Sequence, residues 1–196
     1  MEILKKNRPK SSLFRHLIYI FLILALGAGL VHLFFENKRL DERNIQLEKS
    51  LPGEPVAVFF IEPQNTEFKL KPVLCPVNPL GNRHLQALQI LLKGPASGSK
   101  LMKLFPQGTA VLSLTLQNGL ATVNLNQRAT ELNAGSTLEA LAIISIVNTL
   151  TKFPDVYRVK ILIEGKEVES LAGHVDLSTE LHYSDYGVDP VPEEYR

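Results

Sequence analysis

The stretch AVLSLTLQNGLATVNL, residues 110–125, decides the fold, because its pattern fixes a turn, a register and two chemically different faces at once. Asn118-Gly119 tolerates positive φ at both positions, which is what a two-residue type I′ hairpin turn requires. With Gln117 opposite Leu120, one face pairs Leu116 with Ala121, Leu114 with Val123 and Leu112 with Leu125. The other pairs Thr115 with Thr122 and Ser113 with Asn124. A sheet with one apolar and one polar face needs a layer packed on the apolar side only.

Toward the C-terminus, Ser136-Thr137-Leu138-Glu139 has the form of a capping box, with the serine oxygen on the amide three residues on and the glutamate reaching back. It opens a helix running to about residue 151. Leu138, Leu141, Ala142, Ile143, Ile144, Ile146, Val147 and Leu150 cover more than a narrow stripe. Such a helix is either centrally buried or keeps an apolar flank for a partner, and central burial is the expected outcome. Tyr157, Val159, Ile161 and Ile163 then alternate with Arg158, Lys160 and Glu164 in a last strand, and Glu164-Gly165 turns the chain. Residues 179–196 lack periodicity and are expected to form a flexible tail, with at most a short extended piece at a sheet edge.

Toward the N-terminus, Val56-Ala57-Val58-Phe59-Phe60-Ile61 is a largely buried strand bounded by Pro55 and Pro63. Phe68, Leu70 and Val73 alternate with Lys69 and Lys71 in its hairpin partner, where Pro72 favours an edge. Asn78-Pro79 resembles a helix start, Leu85, Leu88 and Leu92 line one stripe, and Gly94-Pro95 ends a helix over about 80–93. Residues 96–108 form a punctuated surface connection whose Lys100 and Lys103 are expected to be solvated. The order strand, strand, helix, hairpin, helix, strand predicts an α+β two-layer sandwich, two helices packed on one face of a mixed β-sheet, spanning residues 55–178.

Ahead of this domain, residues 16–35 (HLIYIFLILALGAGLVHLFF) contain no acidic or permanently cationic side chain and suffice to cross a ~30 Å hydrocarbon core as a helix. Lys5, Lys6, Arg8, Lys10 and Arg15 precede the run, in a basic tail over residues 1–15, whereas mixed charges follow it. The positive-inside rule leaves that tail in the cytoplasm and the domain outside. A cleaved signal peptide is the rival reading, since Ala25, Gly27, Ala28 and Gly29 are small; the apolar run continuing to Phe35 suits an uncleaved anchor better. The span 36–54 is a charged linker, helical in its first part, ended by Leu51-Pro52-Gly53.

Lysine plus arginine number 21 against 20 for aspartate plus glutamate, so no global field attracts nucleic acid. Cys75 is the one cysteine, which excludes an intrachain disulfide. His84, His174 and His182 make no metal-type i, i+3 or i, i+4 pair on a helix, and His174 with Asp176 is more simply a solvated loop than a metal site. His16 and His32, at the ends of the apolar run, can reach headgroups. Ser97 and Ser99 have no evident base. No catalytic, cofactor or metal residue is assigned.

The ordered set Leu91-Leu92-Lys93-Gly94-Pro95, Phe105-Pro106-Gln107-Gly108-Thr109, Val123-Asn124-Leu125, Gly135-Ser136, Asn148-Thr149-Leu150-Thr151-Lys152-Phe153 and Val159-Lys160-Ile161-Leu162-Ile163-Glu164-Gly165 resembles the GerMN domain family. The resemblance implies a non-catalytic interaction or assembly module of the bacterial cell envelope; this chain carries one copy of it, behind the transmembrane anchor read from residues 16–35. Its expected setting is the inner membrane, single-pass, with lipid and a protein partner or a second copy as contacts. The alternative is a peptidoglycan- or small-ligand-binding accessory module using the polar sheet face.

Overall fold

The computed structural model describes residues 11–50, 54–65 and 67–188, in two compact units divided after Ser50. The basic residues at positions 5, 6, 8 and 10, the break at residues 51–53 and the last eight residues lie outside the described residues. In the first unit, helix α1 (Ser11–Ser50) is uninterrupted over 40 residues, about 60 Å at 1.5 Å per residue. Its segment Ile18–Arg43 is long and apolar enough to cross a membrane, and its large apolar side chains lie exposed along the helix. The charged linker continues the same helix, with His32 and Glu36 facing each other at 3.9 Å one turn apart.

The second unit begins with the antiparallel hairpin β1 (Glu54–Gln64) and β2 (Glu67–Val77). Helix α2 (Arg83–Lys93) follows, then the hairpin β3 (Val111–Gln117) and β4 (Leu120–Leu125), helix α3 (Ser136–Thr151) and β5 (Arg158–Ile163). The class and the element order are those expected. The strands divide between two ladders: β1–β2 stand alone, and β3–β4–β5 form a mixed sheet in which β5 runs parallel to β4.

Strand β1 explains its own unbroken hydrophobicity. Val56, Val58 and Phe60 face the main core with α2, α3 and the three-stranded sheet, while Ala57, Phe59 and Ile61 face a second cluster with Leu70 and Leu141. Both faces being covered, period-two alternation is lost. In the other ladder Ala121, Val123, Leu125, Val159, Ile161 and Ile163 are buried on the core side, as the alternation required. Tyr157 leaves this pattern: it is 68% exposed and its ring lies over Gly119.

The hairpin register agrees with the sequence from Gln117–Leu120 to Ser113–Asn124 and then slips, because Val111 and not Leu112 pairs with Leu125. The bulge turns Leu112 outward, where it is 49% exposed. The turn has Asn118 at φ 51° and Gly119 at φ 76°, as a type I′ turn demands. Glu164 (φ 49°) and Gly165 (φ 76°) repeat this geometry after β5.

Helix α3 is buried nearly all round, with Leu141, Ile143, Ile146, Val147 and Leu150 each at most 2% exposed. At about 1.5–3 kcal/mol per large side chain, it is, with β1, a major source of hydrophobic stabilisation in the domain. Two expected caps are corrected. The N-cap of α3 is Gly135 with no side-chain bond, so Ser136 and Glu139 do not form a capping box. For α2, Asn82 and not Asn78 is the cap, its side chain accepting from the Leu85 amide at 2.9 Å. Asn78 forms a local turn, accepting from Leu80 N–H at 2.9 Å, and is clamped by Gln86 through both backbone groups.

Residues 179–188 are tied into the unit, so the packed domain continues past the boundary at residue 178. Leu181 exchanges two 2.8 Å backbone bonds with Val159 on the outer edge of β5, and Gly187 accepts from Leu70 N–H on β2. The short extended piece foreseen at a sheet edge is this one.

Candidate functional site

Three buried polar side chains on α3 organise the segments around it. Glu139 is 0% exposed and its carboxylate accepts backbone N–H groups from Leu171 (3.1 Å), Ala172 (2.8 Å) and His174 (2.9 Å). Asn148 bonds Ser184 in both directions, donating at 2.8 Å and accepting at 3.0 Å. Thr149 accepts from Phe59 N–H at 3.1 Å on the edge of β1 that lacks a strand neighbour. Each satisfies groups whose burial without a partner would cost about 1–3 kcal/mol. The missing capping box follows: one local amide competes with three amides 32 to 35 positions downstream.

The structure separates the residues weighed for chemistry. His174 lies 3.5 Å from Glu139 Oε2 and 3.1 Å from the Ala172 carbonyl oxygen through Nδ1. Asp176 faces Ser178 instead, whose hydroxyl and amide hold its carboxyl below the usual carboxylate range. These two do not converge on a cation position, and no group of three or more metal-type ligands occurs among the described residues. His84 pairs with Asp155 at 2.9 Å and stacks on Phe153 at 4.1 Å between centroids. Sequence spacing missed that pair because its members come from α2 and from the turn after α3. Among the described residues no hydroxyl or thiol is bonded to it, so it joins two elements without a nucleophile. Ser97, Ser99 and His182 lie in irregular segments, and burial pushes the Cys75 thiol upward in pKa.

On the outer face of the three-stranded sheet, the β5 side chains are engaged by the chain itself. Arg158 binds Glu180 at 2.7 Å, and Lys160 binds the Ser178 carbonyl at 2.7 Å and Glu167 at 3.2 Å. The strand edges differ in the same way. The outer edge of β1 meets Met102 and Thr149, that of β2 meets Val188, and that of β5 meets Lys166 and Leu181. Among the described residues, nothing bridges the outer edge of β3. In a two-residue hairpin the closing pair, Gln117 and Leu120, exchanges both backbone bonds, so Leu114 and Leu116 turn their N–H and C=O groups to that open edge. Leu112 and Leu116 stand there 49% and 37% exposed.

At the head of β3 lies a concavity of about 230 Å³ between the end of α2 and residues 108–111, lined by Gln89, Lys93, Lys103 and Thr109 among others. Asn126 sets its rim, donating to the Gly108 carbonyl at 2.8 Å and accepting from Ala110 N–H at 3.1 Å. The Lys103 stem packs on Gly94, where a Cβ would come within 3.0 Å of it.

Comparison with known proteins adds to this geometry. The family model described as "Germane: Sporulation and spore germination" matches residues 57–169. The tandem GerMN domains of the sporulation protein GerM from Bacillus subtilis superpose with a TM-score of 0.58 at 23% identity, over 68% of this chain and 46% of that one. The first GerMN domain of the same protein gives 0.55 at 22% identity, over 65% and 96%. A putative lipoprotein from Clostridium perfringens gives 0.50 at 24%, over 66% and 88%. At these identities the likeness is one of fold, and the chain spans about half the length of the tandem structure. No curated protein matches the sequence.

Proposed function

Since the chain belongs to the Germane family of sporulation and spore germination domains, we propose that it is a membrane-anchored, extracytoplasmic interaction module of the bacterial cell envelope without catalysis of its own. Helix α1 holds it in the inner membrane with the basic end in the cytoplasm. The domain docks a protein partner, or a copy of itself, through the outer edge of β3.

The observation that carries this reading is the contrast among strand edges. Among the described residues, the chain returns to meet the outer edges of β1, β2 and β5 at one or two points each and leaves that of β3 unbridged, flanked by exposed leucines. An uncovered edge is a template for another strand, and soluble domains ordinarily blunt such edges. The helix α3 is too enclosed to serve as the docking element. The polar sheet face gives less support to wall binding, because Arg158 and Lys160 already hold carboxylates of the same chain.

The test is affinity purification of the full chain from membranes after mild crosslinking, comparing wild type with Leu112→Lys/Leu116→Lys. The wild type is expected to retain a stoichiometric partner or second copy that the variant loses, with unfolding temperatures within a few degrees of each other. Retention of the same partner by the variant refutes β3 as the docking edge. Extraction of the chain by alkaline carbonate refutes the anchor.

A further inference from the structure

Two stretches singled out in the sequence, Lys93-Gly94-Pro95 and Gln107-Gly108-Thr109, come together at the concavity that heads β3. Among the described residues neither Lys93 nor Lys103 forms an ion pair, and the Thr109 hydroxyl is buried without a hydrogen-bond partner. Lys93 does complement the carbonyl end of α2. That role accounts neither for Lys103, which arrives from an irregular segment and is held against Gly94, nor for the orphan hydroxyl. The backbone there is fixed: Gly94 (φ 94°) and Gly108 (φ 87°) occupy conformations that suit glycine, and Asn126 clamps residues 108 and 110.

Two exposed lysines lining a space of about 230 Å³ suit a small anionic group. The space is below the roughly 300–1,000 Å³ typical of sites for whole small molecules. It also opens where β3 begins, so a chain paired along that strand's outer edge would deliver a side chain or terminus into it. We propose that the ligand is an extended acidic segment of a partner protein, paired with β3, whose carboxylate enters between Lys93 and Lys103. The inference rests on β3 being the docking edge and names the chemistry of what docks there.

The experiment uses the full chain in nanodiscs and fluorescence anisotropy. The probe is a labelled peptide of alternating valine and threonine that ends in two glutamates, against the same peptide ending in two glutamines. The glutamate form is expected to bind at least tenfold more tightly at low salt. That preference should disappear in Lys93→Gln/Lys103→Gln, whose two substituted positions are exposed, and fall steeply between 50 and 200 mM salt. Amide exchange at Leu114 and Leu116 should slow when the glutamate peptide binds. Equal binding of the two peptides, no binding of either, or a preference that survives in the double variant overturns the inference. So does competition by inorganic phosphate or by soluble cell-wall fragments at the same concentration as the acidic peptide. Each of these results leaves the purification result with Leu112→Lys/Leu116→Lys intact, so the docking edge and the acidic ligand fail separately.

Discussion

Removing the Glu139 carboxylate should be among the most damaging single changes in the domain. The side chain is 0% exposed and accepts three backbone N–H bonds, at 2.8, 2.9 and 3.1 Å, from a loop that no strand ladder holds. Hydrogen bonds to a charged acceptor contribute about 1.5–3 kcal/mol each, so the gross loss for three is roughly 4.5–9 kcal/mol. Residues 173 and 174 are exposed, so part of the loop regains water once released. That lowers the expected cost of Glu139→Ala to about 3–5 kcal/mol, in line with removing one member of a buried charged contact. Glu139→Gln keeps the shape and one acceptor oxygen, leaving the amides of Leu171 and Ala172 paired, but sets an NH₂ against His174 N–H. Its cost should be about 1.5–3 kcal/mol. The assay is urea unfolding of the full chain in micelles followed by near-ultraviolet circular dichroism, with hydrogen exchange across residues 171–174. An alanine variant within 1 kcal/mol of wild type, or a glutamine variant as damaged as alanine, would refute the reasoning.

Asn148→Ala should release the segment around Ser184 and cost about 1–3 kcal/mol; chymotrypsin cleavage after Tyr183 or Tyr186 should accelerate several-fold, and unchanged cleavage contradicts it. Gly119→Ala forces a side chain to φ 76° and into the Tyr157 ring, so a loss of about 1–2 kcal/mol is expected from the backbone alone. Adding Tyr157→Ala should restore only the steric part, as denaturant midpoints will show. Asp176 has a folded-state pKa lowered by the Ser178 hydroxyl and amide. Its contribution is therefore full above the ordinary value of 3.8 and disappears as pH falls through the lower folded value. Wild type and Asp176→Asn should differ in stability at pH 6 and converge as the pH falls through the lowered folded value, measured by unfolding at a series of pH values.

Local rules carried much of the fold. Asn118-Gly119 names its turn because few other residue pairs tolerate positive φ twice, and the alternation on either side sets the register down to Ser113. Beyond it Val111 and Leu112 are both apolar, so the one that bulges out cannot be read from pattern. Ser136 and Glu139 have capping-box spacing, yet the carboxylate serves amides beyond residue 170, a competition invisible to any four-residue window. Asn78 and Asn82 both precede the α2 stripe, and Gln86 decides between them by clamping the first. The hold on residues 179–188 depends on Asn148 and Val159, each far away in the chain. Lys93 and Lys103 line one concavity across an irregular segment whose path the sequence does not specify, while Lys103 is exposed as expected. That β3 is an edge was not legible, because it follows from β5 joining β4 in parallel; that the other edges are met depends on returns of the chain from Met102, Lys166, Leu181 and Val188.

Photocrosslinking from a benzophenone side chain placed at Leu116, in the full chain within its native membranes, tests the docking edge most directly. A discrete adduct from Leu116, with none from the same probe at Ser97 or Glu180, is the expected result. Adducts of equal strength from all three positions, or none from Leu116, would contradict a docking role for β3.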